Sequence, residues 1–204
     1  MDAALPTISA PSVPAAPIIF TKAPGSVIGP EDPLVYPAGV SNQVDYEGEL
    51  GVIIGKGGRF IAAADAMDSV FGFTIVNDMS ARDLQKRHQQ WFLAKSIDGF
   101  CPLGPWVVPA ADLDPSSLRV RTFVNEELRQ DGNTEDMITS IPRLIEVISA
   151  CVCLQPGDII ATGTPAGVGA GFSPPKFLQP GDTVRVVIEG VGALSTKIIS
   201  PSKL

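Results

Sequence analysis

Side chains alternate in character along residues 44–54, and this alternation constrains the fold more than any other feature of the sequence. Apolar residues occupy even-numbered positions and two glutamates occupy odd-numbered positions, which is the period of a β-strand. One face consists of Tyr46, Leu50, Val52 and Ile54, and the other carries Glu47, Glu49 and Ile53. Residues 55–58, Gly-Lys-Gly-Gly, then turn the chain. The pattern predicts a strand with two carboxylates on one face.

The other segments are short and are separated by Pro and Gly. Strands are predicted for the apolar run 71–76, which ends at Asn77-Asp78, and twice between residues 106 and 125. Helices are predicted for residues 62–70, for residues 81–87 and for the stretch that Ser140-Ile141-Pro142 begins. The string Leu-Gln-Pro-Gly-Asp occurs at 154–158 and 178–182. Each copy predicts a Pro-Gly turn followed directly by a strand.

Length and composition indicate one globular domain. A chain of 204 residues can bury one sizeable core, and it is too short to make two ordinary domains the default. Residues 1–17, rich in Ala and Pro, predict a flexible extended arm, which leaves residues 18–204 as the domain. No apolar run approaches the roughly 20 residues needed to cross a bilayer. Residues 1–17 also lack a basic cluster followed by an apolar core. We therefore expect a cytoplasmic protein that is not in a membrane.

Charge and cysteine usage narrow the partners and the compartment. With 22 acidic against 15 basic residues, the formal charge of -7 opposes binding to nucleic acid. Cys101, Cys151 and Cys153 form no Cys-x-x-Cys pair, and their odd number suits a reducing compartment. The sequence predicts buried thiols at all three positions.

Three carboxylates are candidate metal ligands. Glu47 and Glu49 lie two residues apart on a strand and point from one face, so they can converge on one ion. Asp78 closes an apolar strand, where an unpaired carboxylate costs several kcal/mol or becomes protonated. Alternatives exist: the glutamates could form a solvated strand face, and Asp78 could pair with a backbone amide or with Arg82. Carboxylates without clustered His or Cys favour Mg²⁺, Mn²⁺ or Ca²⁺ over zinc.

Five stretches of the chain form a recognisable series of motifs. They are Asp-Tyr-Glu-Gly-Glu-Leu at 45–50, Asn-Asp-Met-Ser-Ala-Arg-Asp at 77–83, the stretch 90–100 containing Ala-Lys-Ser, the stretch 157–169 containing Thr-Gly-Thr-Pro-Ala-Gly, and Phe-Leu-Gln-Pro-Gly-Asp at 177–182. In order and spacing these motifs resemble those of the fumarylacetoacetate hydrolase family. The resemblance covers most of the chain, from Pro17 onward.

The resemblance implies a mainly β protein with few helices (α+β), built as a rolled mixed sheet or sandwich, and a homodimer that acts on a small oxo acid. It also implies a site in which Glu47, Glu49 and Asp78 bind Mg²⁺ or Mn²⁺, Arg82, Gln85 and Lys95 act in catalysis, and Thr164, Lys95 and Arg82 bind substrate. Without the family context, Arg82 could pair with Asp83 or Asp78, Gln85 could lie on the surface, and Lys95 could snorkel to solvent.

The reaction expected from the resemblance is metal-dependent hydrolysis of a carbon–carbon bond in a small acylpyruvate. Many small family members carry an Asn-Tyr-x-x-His-x-x-x-Glu-like stretch just before the segment equivalent to residues 17–22, and its His and Glu activate water. This chain has no such stretch. Its only histidine, His88, lies in a polar run and is expected to be exposed. An oxaloacetate-type decarboxylase, an isomerase or hydratase, and a catalytically impaired oxo-acid binder therefore remain alternatives.

Overall fold

The computed structural model describes residues 16–201, so the predicted arm 1–17 lies almost entirely outside the described residues. Within these described residues, twelve strands and three α-helices follow one another in short segments. The strands are β1 (Val27–Ile28), β2 (Leu34–Val35), β3 (Val44–Asp45), β4 (Gly48–Ile54), β5 (Val70–Asn77), β6 (Ser80–Ala81), β7 (Cys101–Pro109), β8 (Arg119–Val124), β9 (Glu127–Asn133), β10 (Ile159–Ala161), β11 (Thr183–Ile188) and β12 (Gly192–Ile199). The helices are α1 (Arg82–His88), α2 (Phe92–Lys95) and α3 (Ile141–Cys151).

Two five-stranded sheets form the body of the molecule. One has the strand order β1-β7-β5-β4-β10 and the other the order β2-β12-β11-β8-β9, while β3 and β6 pair separately. The pairs β1–β7 and β2–β12 are parallel and the remaining pairs are antiparallel, so both large sheets are mixed. This mainly β architecture with few helices confirms the predicted fold class.

The two sheets pack closely where the carboxylate-bearing strand crosses the second sheet. A Cβ atom at Gly48 would lie 2.3 Å from the hydroxyl oxygen of Thr122 on β8 and 2.9 Å from a methyl group of Val186 on β11. Carbon atoms cannot approach that closely without a shift of the strands. Glycine at this position therefore lets β4 run directly against the opposite sheet, with a glutamate on each side of the contact.

Local predictions are largely confirmed. Both Leu-Gln-Pro-Gly-Asp turns precede strands, β10 and β11, and the predicted helix after Ser140 is α3. The segment predicted as a helix over 62–70 is a 3-10 helix, Ala63–Ser69. None of the helices in residues 16–201 has the length and apolar character that crossing a membrane would require.

One prediction about the cysteines is wrong. Cys101 is buried, but Cys151 and Cys153 are exposed. Both lie at the end of α3, and Val152 between them, directly after the helix, is also exposed. Cys151 is the last residue of α3 and lies away from its buried face, and because the helix ends there, the helical period no longer sets the direction of the Val152 and Cys153 side chains.

Candidate metal centre

Strand register brings the three predicted ligands together. In the antiparallel pair of β4 and β5, Glu49 faces Val76 and Gly48 faces Asn77, so the next residue, Asp78, comes to lie beside Glu47. The Asp78 N–H donates to the Glu47 carbonyl oxygen at 2.8 Å. One carboxylate oxygen from each of Glu47, Glu49 and Asp78 lies within 4.8 Å of the others, and all three residues are buried. The arrangement is a compact cluster of oxygen ligands.

Three basic side chains surround the carboxylates. The Lys95 ammonium donates to Glu47 Oε2 and to Asp78 Oδ2, each at 2.7 Å, and Lys95 is only 2% exposed. Arg82 donates to Glu47 Oε1 at 2.7 Å, and Lys22 donates to Asp78 Oδ1. Arg82 thus pairs with Glu47 rather than with Asp78. Because Lys95 is fully enclosed by the site, its side chain does not snorkel to solvent.

Charges of opposite sign set the protonation of Lys95. Burial lowers the pKa of its ammonium, but the carboxylates of Glu47 and Asp78 raise it further than burial lowers it, so the pKa lies above the ordinary value of lysine. Lys95 is therefore an ammonium at neutral pH while the carboxylates face it. It can donate hydrogen bonds and hold a proton in the centre of the cluster.

Of the three candidate ligands, Glu49 accepts the fewest hydrogen bonds from the described residues. Among the described residues it accepts one hydrogen bond, from the Gly163 N–H at 2.8 Å. Burial, and then the charges of Asp78 and Glu47, raise the pKa of the Glu49 carboxyl to about 8. A divalent cation among the three carboxylates would relieve this repulsion and take up the remaining lone pairs.

A fourth buried carboxylate, Asp45, connects the glycine-rich loop, residues 163–171, to the cluster. It accepts hydrogen bonds from the N–H groups of Gly169 at 2.6 Å and Ala170 at 2.9 Å. It also accepts from Arg82 Nε at 2.8 Å. Arg82 therefore links Asp45 to Glu47, and the loop is held at a fixed distance from the carboxylates.

The remaining predicted site residues line the same cavity. This cavity measures about 1070 Å³ and is bordered by the three carboxylates, by Lys95 and by Arg82, and also by Gln85 and Thr164. Gln85 accepts a hydrogen bond from Arg82 Nη1 at 3.2 Å. The Thr164 hydroxyl donates to the Gly48 carbonyl oxygen at 3.0 Å, so the structure places it beside the strand that carries the glutamates.

For several residues of the site, the sequence predicted no role. Lys22 contacts Asp78 across 56 positions of sequence, and Gln130 contacts Gly48 across 82. Phe20 lies under the Lys95 ammonium, with the nitrogen 5.1 Å from the ring centroid, and packs edge-on against Trp91 at 5.2 Å. Asp45 stands in the motif that carries the family resemblance, but no role was predicted for it.

The cluster fits a hard divalent cation. Its ligand atoms are carboxylate oxygens, which Mg²⁺, Mn²⁺ and Ca²⁺ prefer, and no thiol or imidazole contributes to the group found among residues 16–201. The convergence of three buried carboxylates on one point is the structural observation that favours such an ion. Glu47, Glu49 and Asp78 are the residues that would hold it.

Comparison with known proteins identifies the family. The sequence profile described as fumarylacetoacetate (FAA) hydrolase, C-terminal, matches residues 3–199. The oxaloacetate tautomerase YisK of Bacillus subtilis is 52% identical over 198 residues, which is 97% of this chain and 66% of YisK. The chain therefore spans less than two thirds of the length of this relative.

Solved structures agree with the sequence comparison. A fumarylacetoacetate hydrolase of the psychrophile Exiguobacterium antarcticum is similar with a TM-score of 0.90 and 47% identity, over 93% of this chain and 69% of that one. The maleylpyruvate hydrolase of Sphingobium sp. SYK-6 is similar with a TM-score of 0.80 and 40% identity, over 89% of this chain and 64% of that one. The chain belongs to the fumarylacetoacetate hydrolase family, and its mixed sheets have the fold of these enzymes.

Proposed function

We propose that this chain is a divalent-metal-dependent enzyme that interconverts the keto and enol forms of a small 2-oxo diacid of the oxaloacetate type. The observation that carries the proposal is the Lys95 ammonium, which is buried within 2.7 Å of two of the three convergent carboxylates. YisK, which is 52% identical to this chain, is named as an oxaloacetate tautomerase, and this name supports the same reaction. This chain spans only part of YisK, so the activity of YisK is a proposal for this chain.

The roles of the residues follow from their contacts. Glu47, Glu49 and Asp78 would hold a Mg²⁺ or Mn²⁺ ion, which when bound supplies Lewis-acid stabilisation of enolate charge. Lys95 holds a proton inside the cluster and is the group we assign to proton transfer at the carbon next to the oxo group. Arg82 presents a guanidinium on the cavity wall, where it suits a carboxylate.

The walls of the cavity support this chemistry by limiting water near the proton-transfer group. Phe20 covers the Lys95 ammonium on one side and is itself held by Trp91. Where water is excluded, the charge of an ammonium acts more strongly on a developing enolate than it does in bulk water. A keto–enol conversion needs no activated water, because one proton leaves oxygen and one is added to carbon.

Hydrolysis of an acylpyruvate is the second candidate, and it is supported by the 40% identity to a maleylpyruvate hydrolase. Both reactions pass through an enolate of a 2-oxo acid. They differ because hydrolysis also requires a base that activates water toward the distal carbonyl group. The same cavity can serve either reaction, so the two candidates are separated by experiment.

The test follows three signals with purified protein, with Mn²⁺ and with chelator: the ultraviolet absorbance of enol-oxaloacetate, release of pyruvate from oxaloacetate, and release of pyruvate from acetylpyruvate or fumarylpyruvate. We expect chelator-sensitive decay of the enol absorbance. Pyruvate released from an acylpyruvate, without enol decay, would replace the proposal by hydrolysis. Pyruvate from oxaloacetate as the main product would replace it by decarboxylation.

A variant tests the role of Lys95. Lys95→Met should lower the rate at least about 100-fold, because general acid–base groups contribute roughly 10²–10⁴ to the rate. Lys197→Met is the control, since Lys197 is exposed on β12. Retained Mn²⁺ binding shows that Lys95→Met is folded. Wild-type turnover in Lys95→Met would remove Lys95 from the reaction.

A further inference from the structure

The peptide between the two glutamate ligands, at Gly48, is held by side chains where a neighbouring strand would be expected. β10 pairs with β4 from Ile53 to Gly51, and the Thr162 N–H closes the ladder on the Leu50 carbonyl oxygen. Beyond Leu50 the chain leaves β4. At the next position that faces this side, the Gly48 N–H donates to Gln130 Oε1 and its carbonyl oxygen accepts from the Thr164 hydroxyl, each at 3.0 Å.

The side-chain amide of Gln130 occupies this position and makes three hydrogen bonds. Its side chain is 0% exposed and reaches from β9 in the opposite sheet. While Oε1 accepts from Gly48, Nε2 donates to Thr164 Oγ1 at 2.8 Å and to the Pro165 carbonyl oxygen at 2.9 Å. Only a group with an acceptor on one side and two donors on the other can bridge these partners.

The contacts of Gln130 continue to a predicted metal ligand. Thr164 accepts from Gln130, which commits the proton of its own hydroxyl to the Gly48 carbonyl oxygen. The preceding residue, Gly163, gives Glu49 the one hydrogen bond that it receives from the described chain. Holding Thr164 and Pro165 in place therefore holds the Gly163 N–H against Glu49 Oε2, and with it the direction of that carboxylate.

We propose that Gln130 is a positioning residue of the metal centre. It acts through Thr164, Pro165 and Gly163 to orient Glu49, and it keeps Gly48 fixed without a strand that would close the cavity. Outer residues that orient ligands commonly change metal affinity by 10–100-fold when they are removed. The effect on turnover rests on the proposed function, whereas the effect on metal affinity does not.

The test compares three variants by Mn²⁺ titration and by kcat and KM. Gln130→Met keeps the shape and removes all three hydrogen bonds, and Gln130→Glu keeps the acceptor for Gly48. Thr122→Val is the matched control, because Thr122 faces Gln130 across β8 and β9, is equally buried, and its hydroxyl has no partner among the described residues. We expect Mn²⁺ affinity at least about tenfold weaker in Gln130→Met, an intermediate loss in Gln130→Glu, and no change in Thr122→Val.

The outcomes separate a positioning role from general core damage. A lower kcat at nearly unchanged KM, together with weaker Mn²⁺ binding and partial rescue in Gln130→Glu, supports the proposal. Wild-type Mn²⁺ affinity in Gln130→Met, or an equal loss in Thr122→Val, overturns it. If Gln130→Met does not fold, Gln130→Glu decides by the same affinity comparison. Wild-type protein that binds Mn²⁺ but turns over no oxo acid would refute the proposed function and leave this affinity test intact.

Discussion

Asp45 and Glu49 are buried carboxylates four residues apart on the same run of chain, and their surroundings are opposite. Asp45 accepts four hydrogen bonds, three from backbone N–H groups and one from Arg82. Glu49 receives one from the described chain and faces the like charges of Asp78 and Glu47. A carboxylate whose donors are supplied by the fold is structural. A carboxylate that accepts few hydrogen bonds and lies among like charges is suited to bind a cation.

The largest effect is expected at the structural carboxylate. Asp45→Asn removes one of the two carboxylate charges that compensate Arg82, and it places an amide donor against the N–H groups of Gly169 and Ala170. Breaking a buried ion pair by removing one partner costs about 3–5 kcal/mol. We expect a loss of that size in the free energy of unfolding, measured by urea denaturation, and no recovery with Mn²⁺.

The control for Asp45 is a carboxylate of a surface ion pair. Asp131→Asn breaks the exposed pair with Arg119 on β8 and β9 and should leave the urea midpoint nearly unchanged. Equal losses in the two variants would contradict the contrast between Asp45 and an ordinary acidic residue.

At Glu49 the expected effect depends on the ion. Wild-type protein at a Mn²⁺ concentration 100 times the dissociation constant should gain about 2.7 kcal/mol of stability. Glu49→Gln should lose most of this gain, since one of the three ligands is replaced by an amide. In chelator it should be no less stable than the wild type, because burial and the neighbouring charges already disfavour the ionised form of Glu49 and an amide of the same shape replaces it. Thermal unfolding with and without Mn²⁺ measures both.

Glu126→Gln, an exposed substitution of the same kind, should keep the full Mn²⁺ gain. An equal Mn²⁺ gain in Glu49→Gln and in the wild type would remove Glu49 from the metal centre. A strong loss of stability for Glu49→Gln in chelator would show that Glu49 is structural, as Asp45 is.

The two ends of the glycine-rich loop extend the comparison of Asp45 and Glu49 to smaller changes in stability. Gly167 lies near Asp45, where its carbonyl oxygen accepts from the Tyr46 hydroxyl, and Gly163 lies against Glu49. Both have positive φ, +105° and +101°. A Cβ at Gly167 would lie 1.9 Å from the Arg129 carbonyl oxygen, whereas a Cβ at Gly163 meets nothing within 4 Å. The end near Asp45 is tightly packed and the end near Glu49 has room.

Alanine substitutions turn this difference into a measurement. Gly163→Ala should cost about 1–2 kcal/mol for the left-handed backbone alone. Gly167→Ala should cost about 1–3 kcal/mol more, because it adds overpacking to the same strain. Urea denaturation of the two variants gives the difference directly. Equal costs would show that the loop near Asp45 shifts as freely as the loop near Glu49.

Sequence reasoning succeeded where the determining interactions are local. The two Leu-Gln-Pro-Gly-Asp turns form the same structure, with the Asp carboxylate accepting from the Gln N–H at 2.8 Å in each copy. The alternation over residues 44–54 placed both glutamates on one face, and the apolar run before Asp78 marked that carboxylate as buried. These signals lie within a few residues of the features that they predict.

It failed where partners meet only after folding. Lys22 and Gln130 reach the site from distant parts of the chain, and no periodicity or motif marks either of them. Asp45 was recognised only as part of a motif, because two of its four donors come from a loop more than 120 positions away. The exposed thiols of Cys151 and Cys153 were mispredicted, since the end of α3 depends on packing. The homodimer and the cytoplasmic location stay predictions.

The smallest effect is expected at His88, which occupies the opposite end of the helix that begins at Arg82. The two residues are six positions apart, which rotates His88 by about 120° around α1 from Arg82. His88 is exposed, next to Lys86 and Arg87, whereas Arg82 contacts Asp45 and Glu47. His88→Ala should therefore keep Mn²⁺ affinity and most of the turnover, measured in parallel with the wild type. Lost turnover with unchanged Mn²⁺ affinity would instead identify His88 as a base, and it would move the expected reaction from keto–enol conversion to hydrolysis with an activated water.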